Sequence, residues 1–161
     1  MDMEAYSRTS ACAGCGNTRL GTVEQRRTFE VGFEAPLVVH IEAAGCERCG
    51  RLAKPAAVNR AATLTALRQV ATSGRVNGES FRFMRTTMGL QAKEVAHLLG
   101  LGVGTISRWE NDVRDLDARA WVLLASLALE HAEGQSDSRT RGILDAVKAQ
   151  PSVAALVSVR V

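Results

Sequence analysis

The stretch QAKEVAHLLGLGVGTISRWEN, residues 91–111, decides how the chain is read. Its first half, Gln91 to Leu99, puts Ala92, Val95, Ala96 and Leu99 on one face of a short helix. Gly100-Leu101-Gly102 makes a tight turn, and a second short helix follows from Val103 to Glu110. A further helix precedes them, Glu79 to Met88, ended by Gly89. Another follows from the N-cap Asp117, with Trp121, Leu124, Ala125 and Ala128 at i, i+3, i+4 and i+7. Two short helices joined by a glycine turn form the helix-turn-helix arrangement, whose later helix enters the DNA major groove. Gly100-x-Gly102-x-Gly104 is not read as a dinucleotide site, because no strand precedes it and no acidic residue follows at the required distance.

Working back toward the N-terminus, the texture changes. All four cysteines lie in the first third, as Cys12-x-x-Cys15 and Cys46-x-x-Cys49, with thirty residues between the pairs. Two thiolates two residues apart turn toward one centre, and four complete the tetrahedral shell that Zn²⁺ prefers. Gly16 and Gly50 follow the pairs, and glycine reaches the positive φ of a tight knuckle without steric cost. Disulfides are disfavoured in a reducing compartment, and a redox pair needs only one Cys-x-x-Cys. Four sulfurs leave no open position, so the predicted zinc is structural rather than catalytic.

Between the pairs the pattern has period two. Phe29, Val31 and Phe33 alternate with polar or small residues, and after Pro36 the residues Leu37, Val39 and Ile41 share a face. Two or three antiparallel strands are predicted, clamped at their ends by the metal. His40 falls on the face opposite Leu37, Val39 and Ile41 and reads as a solvated strand residue. A segment as short as residues 1–54 needs such a clamp, since it buries little apolar surface.

Pro55 opens a different texture, and from Ala56 to Ser73 an alanine-rich run carries Leu64, Leu67 and Ala71 at helical spacing, with Gly74 as a stop. Asn77-Gly78 then marks a turn. The predicted organisation is a zinc-knuckle domain over 1–54, a connecting helix and linker over 55–77, and a helix-turn-helix and dimerisation domain over 78–161. The fold class is α+β: a small zinc-bound antiparallel β domain, a connecting helix and an all-α C-terminal domain.

Composition sets outer bounds. The 161 residues are 46% hydrophobic and 23% charged, ordinary for a folded domain. The net charge of +3 is weak guidance to an anionic partner, although 17 of the 20 basic residues are Arg. No apolar run is long enough to span a bilayer, and MDMEAYSRTS has no export signal, so no membrane association and a cytoplasmic location are expected. His97 and His131 have no nucleophile or carboxylate at an interpretable spacing, so no enzyme is read here.

At Gly89-Leu90, Leu98-Leu99-Gly100 and Thr105-Ile106-Ser107-Arg108-Trp109-Glu110-Asn111 the chain resembles the Xre/Cro-repressor helix-turn-helix family, over roughly residues 79–131. With four cysteines placed before it, the whole layout is similar to the MqsA-type antitoxins. The resemblance implies a zinc domain that binds a cognate toxin and a C-terminal domain that dimerises and represses its own operon. A stand-alone zinc-containing regulator without a toxin, or an adaptor that has lost DNA binding, are the other readings of the same layout. Carried over by position, Arg108 is the base reader, and Thr105, Ser107 and Asn111 match positions that touch phosphate or sugar. Gly104 stands where the family has an amide that reads a base. Gln91 lies one residue before the usual glutamine position, which is Ala92. Gly102 replaces a hydroxyl N-cap, and Val103 offers contact only to a thymine methyl. The resemblance also implies an internal ion pair between Glu110 and Arg85, with Arg82 as the other partner. Leu123 and Leu127, a short helix from Arg139 to Gln150 and the apolar tail Val153–Val161 supply surface for a homodimer spanning two half-sites.

Overall fold

The computed structural model describes residues 11–135 and 138–149. Two strands are followed by six helices, an α+β architecture with the cysteines clustered at the strand end. The chain divides into two compact units, the first ending at Gln69 and the second beginning at Val70.

In the first unit β1 (Leu20–Phe29) and β2 (Leu37–Cys46) form a two-stranded antiparallel sheet with Leu20 opposite Cys46 and Phe29 opposite Leu37. That register matches faces: Val23, Gln25, Arg27 and Phe29 stand opposite Ala43, Ile41, Val39 and Leu37, all buried or half-buried. His40 lies on the other face, exposed, with its Nδ1 2.6 Å from Glu24 Oε1. The hydrogen bond to His40 holds the Glu24 carboxyl below its ordinary value. Here the sequence expectation needs correction. The Phe29–Val31–Phe33 alternation does not run on as a strand: β1 ends at Phe29, and Val31 and Phe33 lie in the connection, where Gly32 has φ 72°. Gln25 and Arg27 occupy the inward face of β1, so its apolar alternation is broken. Beyond β2 the chain doubles back, with a bridge between Gly45 and Leu52 and a bond from Ala53 N–H to Ala44 O. Helix α1 (Pro55–Thr72) follows, with Pro55 at the first helical position, where its missing N–H costs nothing. Arg27 Nε donates to Asn59 Oδ1 at 3.0 Å, joining β1 to α1.

The second unit is helical: α2 (Gly78–Thr87), α3 (Ala92–Leu99), α4 (Val103–Glu110), α5 (Ala118–Ala132) and α6 (Arg139–Ala149). Local chemistry sets the ends. Asn77 caps α2 by accepting the Ser80 N–H, and Asp117 caps α5 by accepting those of Arg119 and Ala120. Gly100 ends α3 in the left-handed region. The core is Phe81, Met84, Val95, Ile106, Trp109, Trp121 and Leu124, with Phe81 and Trp109 edge to face at 5.9 Å. α6 packs on α3 and α5. The Glu130 carboxylate of α5 fastens its start, accepting bonds from Ser138 Oγ, Thr140 N–H and Thr140 Oγ1. Lys148 Nζ donates to His97 O near its end.

Two expectations about inward faces change accordingly. Leu98, rather than Leu99, is buried on α3, and Leu127 is buried within the chain, so it is not a free apolar face. Both line an open cavity of about 200 Å³ with Met88, Leu90 and Glu130. The tail Val153–Val161 and the end of the predicted helix at Gln150 lie outside the described residues.

Gly78 is a packing requirement invisible in the local sequence. A Cβ there would sit 2.0 Å from Trp109 O and 2.8 Å from Asp112 Oδ1. Its N–H also donates to Asp112 Oδ1 at 3.3 Å, with Asp112 itself at φ 53°. Helix propensity favours Ala over Gly by about 1 kcal/mol. The clash reverses that sign, and Gly78→Ala is expected to destabilise by about 1–3 kcal/mol in urea unfolding, the usual cost of overpacking. A stabilised variant would contradict this close approach.

Candidate functional site

The first candidate site is the cysteine cluster. The two Cys-x-x-Cys-Gly segments fold into the same knuckle. Cys12 N–H bonds to Asn17 O and Gly16 N–H to Cys12 O; Cys46 N–H bonds to Arg51 O and Gly50 N–H to Cys46 O, all at 2.8–2.9 Å. Gly16 and Gly50 hold φ of 70° and 71°, a conformation that an L side chain rarely adopts. β1 and β2 carry the knuckles to one end of the sheet, where Leu20 pairs with Cys46.

All four Sγ atoms lie within 4.8 Å of one another, with Cys12–Cys49 and Cys15–Cys46 each at 3.6 Å. Disulfide sulfurs sit at about 2.05 Å, so these thiols are unbridged. A tetrahedral centre with metal–sulfur bonds of about 2.3 Å has edges of about 3.8 Å, which matches the cluster. Donors also point at the sulfurs: Gly14 N–H to Cys12 at 3.4 Å and Asn17 Nδ2 to Cys46 at 3.6 Å. The Cys49 backbone N–H, helped by Asn17, draws the Cys46 thiol down to about 6. The Gly14 N–H lowers that of Cys12. For Cys49 the Arg51 N–H pulls downward, but the crowding thiols of Cys15 and Cys12 outweigh it and push the group up to about 11. Four thiols this close repel as thiolates unless a cation joins them, so the residues present fit a metal ion.

The second candidate site is the surface of α4. Ile106 and Trp109 are buried and lock the helix against the core. Val103, Gly104, Ser107, Arg108 and Asn111, at i, i+1, i+4, i+5 and i+8, are exposed and share one face. Arg108 Nε donates to Gly104 O at 3.1 Å, which spends one of its five donors on its own helix. Asn111 Nδ2 donates to Ser107 O at 2.7 Å. Thr105 lies off that stripe, half-buried. Gln91 is exposed at the N-cap of α3, its N–H held by Glu94 Oε2 at 2.6 Å. The sequence-derived residues are thus split between one stripe on α4 and a separate position on α3.

Behind that stripe, Arg85 and Glu110 form a two-pronged pair: Nε to Oε1 at 2.5 Å and Nη2 to Oε2 at 2.9 Å. Their side chains are only 12% and 8% exposed. Arg85 Nη1 also donates to Leu90 O at 2.7 Å, so one guanidinium ties α2, α4 and the α2–α3 turn together. Arg82 takes no part in this pair.

Sequence reasoning did not single out Asn17 or Glu130, and it read Asn77-Gly78 as a turn, where Asn77 is the N-cap and Gly78 the first residue of α2. The matching positions Asn17 and Arg51, five residues after the first cysteine of each knuckle, are a signal that the aligned segments CAGCGN and CERCGR carried. Among the described residues, no helix is long and apolar enough to cross a membrane.

No curated protein and no solved structure matches the chain. A family model does match, over residues 10–137: the antitoxin component of the bacterial toxin–antitoxin system, MqsA. With four fifths of its length covered, its cysteines clustered and its helices in this order, the chain belongs to the MqsA antitoxin family.

Proposed function

We propose that this chain is a zinc-bound, DNA-binding antitoxin that represses its own operon. The observation that carries the reading is the single exposed stripe of Val103, Gly104, Ser107, Arg108 and Asn111 on a helix whose other side is locked into the core. A reading helix needs that combination of free edge and fixed position.

In this reading α4 enters the major groove of an operator. Arg108 keeps its Nε bond to Gly104 O, which leaves both terminal nitrogens to meet O6 and N7 of a guanine. Ser107, Asn111, Thr105 and Gln91 hold phosphate or sugar, setting the register but not the sequence. Glu110, turned inward to Arg85, keeps its negative charge away from the phosphates. The four thiolates hold one structural Zn²⁺, which supplies a rigid joint and no reaction. The proposed domains are 1–54, 55–77 and 78–161. A homodimer forms through the C-terminal helices, where Ile143 and Val147 are exposed one turn apart on α6. Such a dimer delivers two α4 helices to half-sites about 34 Å apart. Family membership supports a toxin partner, placed at the zinc domain, and the protein works in the cytoplasm beside the DNA it binds.

The test is Arg108→Ala in a competition between the operator and the same duplex with the contacted guanine replaced. Wild-type protein is expected to discriminate by about 1–3 kcal/mol, or roughly fivefold to 150-fold, and the variant by almost nothing. Unchanged discrimination in the variant would remove Arg108 from the reading surface. Arg108 is exposed, so its loss leaves the fold intact.

A further inference from the structure

The first turn of α4 presents an oddity for a surface meant to meet water. Val103 is 50% exposed, and the neighbouring Leu101 is 38% exposed. Space around Gly102 is open, and the only atom near a Cβ at Gly104 would be Arg108 Nη2 at 3.4 Å. Thr105 is turned half inward. The isopropyl group of Val103 is therefore the one side chain that stands out from this turn on the same stripe as Arg108.

Resting on the DNA-binding reading above, we infer that Val103 is a specificity-determining residue that selects a thymine in each half-site through the thymine C5-methyl group. Valine has no donor or acceptor. Set against adenine, guanine or cytosine in the major groove, it strips water from polar base edges and returns no hydrogen bond. The thymine methyl is the one apolar feature the groove displays, and burying it against Val103 removes two apolar surfaces from water together. The polar stripe continuing from Val103 through Ser107 to Arg108 makes duplex DNA, rather than an apolar protein surface, the occupant. Five residues of helix separate Val103 from Arg108, about 7.5 Å along the axis. With α4 lying along the groove, at about 3.4 Å per base pair, that distance corresponds to about two base pairs between the thymine and the guanine that Arg108 reads.

Uracil is the clean probe, because it keeps every hydrogen-bonding group of thymine and lacks only the methyl. Full-length protein is used to select from a random duplex library, and each thymine of the recovered half-site is then replaced by uracil in turn. One replacement, about two base pairs from the guanine, is expected to weaken binding about fourfold, the worth of one buried methyl. Val103→Ala is expected to bind the thymine and uracil duplexes equally, and its half-exposed site makes misfolding no explanation. Sequence enrichment without any uracil effect overturns the inference but leaves DNA binding standing. A uracil effect that persists in Val103→Ala assigns the methyl to another residue and also overturns it. Failure to enrich any sequence removes both this inference and the reading beneath it.

Discussion

Removing the metal proposed for the cysteine cluster is expected to unfold the hairpin of the first unit while the helices of the second unit stay intact. Among the described residues β1 and β2 pair only with each other apart from the bridge at Leu52, and an isolated two-stranded sheet is marginal in water. Its inward face is diluted by Gln25 and Arg27, and few of its residues, Val31, Val39 and Cys46 among them, are fully buried. Structural zinc sites hold about 10–16 kcal/mol of apparent binding free energy near neutral pH, far more than such a sheet supplies by burial. A chelator in excess, or Cys46→Ser, is therefore expected to collapse the amide signals of residues 20–46 into the unfolded range. Signals from residues 78–132 are expected to stay dispersed. The pH dependence has a definite sign. Thiols lose protons when they take the metal, so affinity falls as pH falls, and acidification at fixed chelator empties the site. Survival of the hairpin signals without metal would show that the sheet holds itself together.

Glu110→Ala is expected to cost about 3–5 kcal/mol. The loss comes less from the attraction between the two charges than from the orphan left behind. The Arg85 side chain is 12% exposed, and two of the three hydrogen bonds that its guanidinium donates end on Glu110. Without that carboxylate a guanidinium stays in a water-poor site with only Leu90 O to accept from it. For a domain of 60–100 residues each kcal/mol moves Tm by about 4–8 °C, so the melting temperature of the helical unit is expected to drop by tens of degrees. The double variant Arg85→Met with Glu110→Leu separates the causes. It removes both charges and fills the space, and is expected to regain most of the stability. A Tm unchanged in Glu110→Ala would mean the pair contributes nothing net, and a double variant as unstable as the single one would shift the cause to packing.

Local and long-range features divide sharply in how far the sequence reveals them. The knuckles were legible because a metal imposes short, fixed spacings on its ligands, and Gly16 and Gly50 adopt the positive φ that the spacing called for. The turn between α3 and α4 was legible because Gly100 and the helical period are local features. β1 was misread because its inward face mixes Val23 and Phe29 with Gln25 and Arg27, and only pairing with β2 determines that these point inward. The inward place expected for Leu99 goes to Leu98 for a similar reason: Leu98 lines a cavity with Leu127, from a helix almost thirty residues away. Gly78 carries no local mark of its contact with Trp109, since thirty-one positions separate them. On α4, only the packed structure separates the buried Ile106 and Trp109 from the exposed stripe. The special standing of Arg108 within that stripe came from resemblance to a family and not from spacing.

The most direct test of the central proposal is the affinity of the full-length, zinc-loaded chain for the DNA upstream of its own gene, against a shuffled duplex, over a range of salt. The expected result is preference for its own upstream DNA by roughly 10³-fold or more, with log affinity falling linearly and steeply as log salt rises. Equal binding to both duplexes, or an affinity indifferent to salt, would contradict a sequence-reading helix on α4.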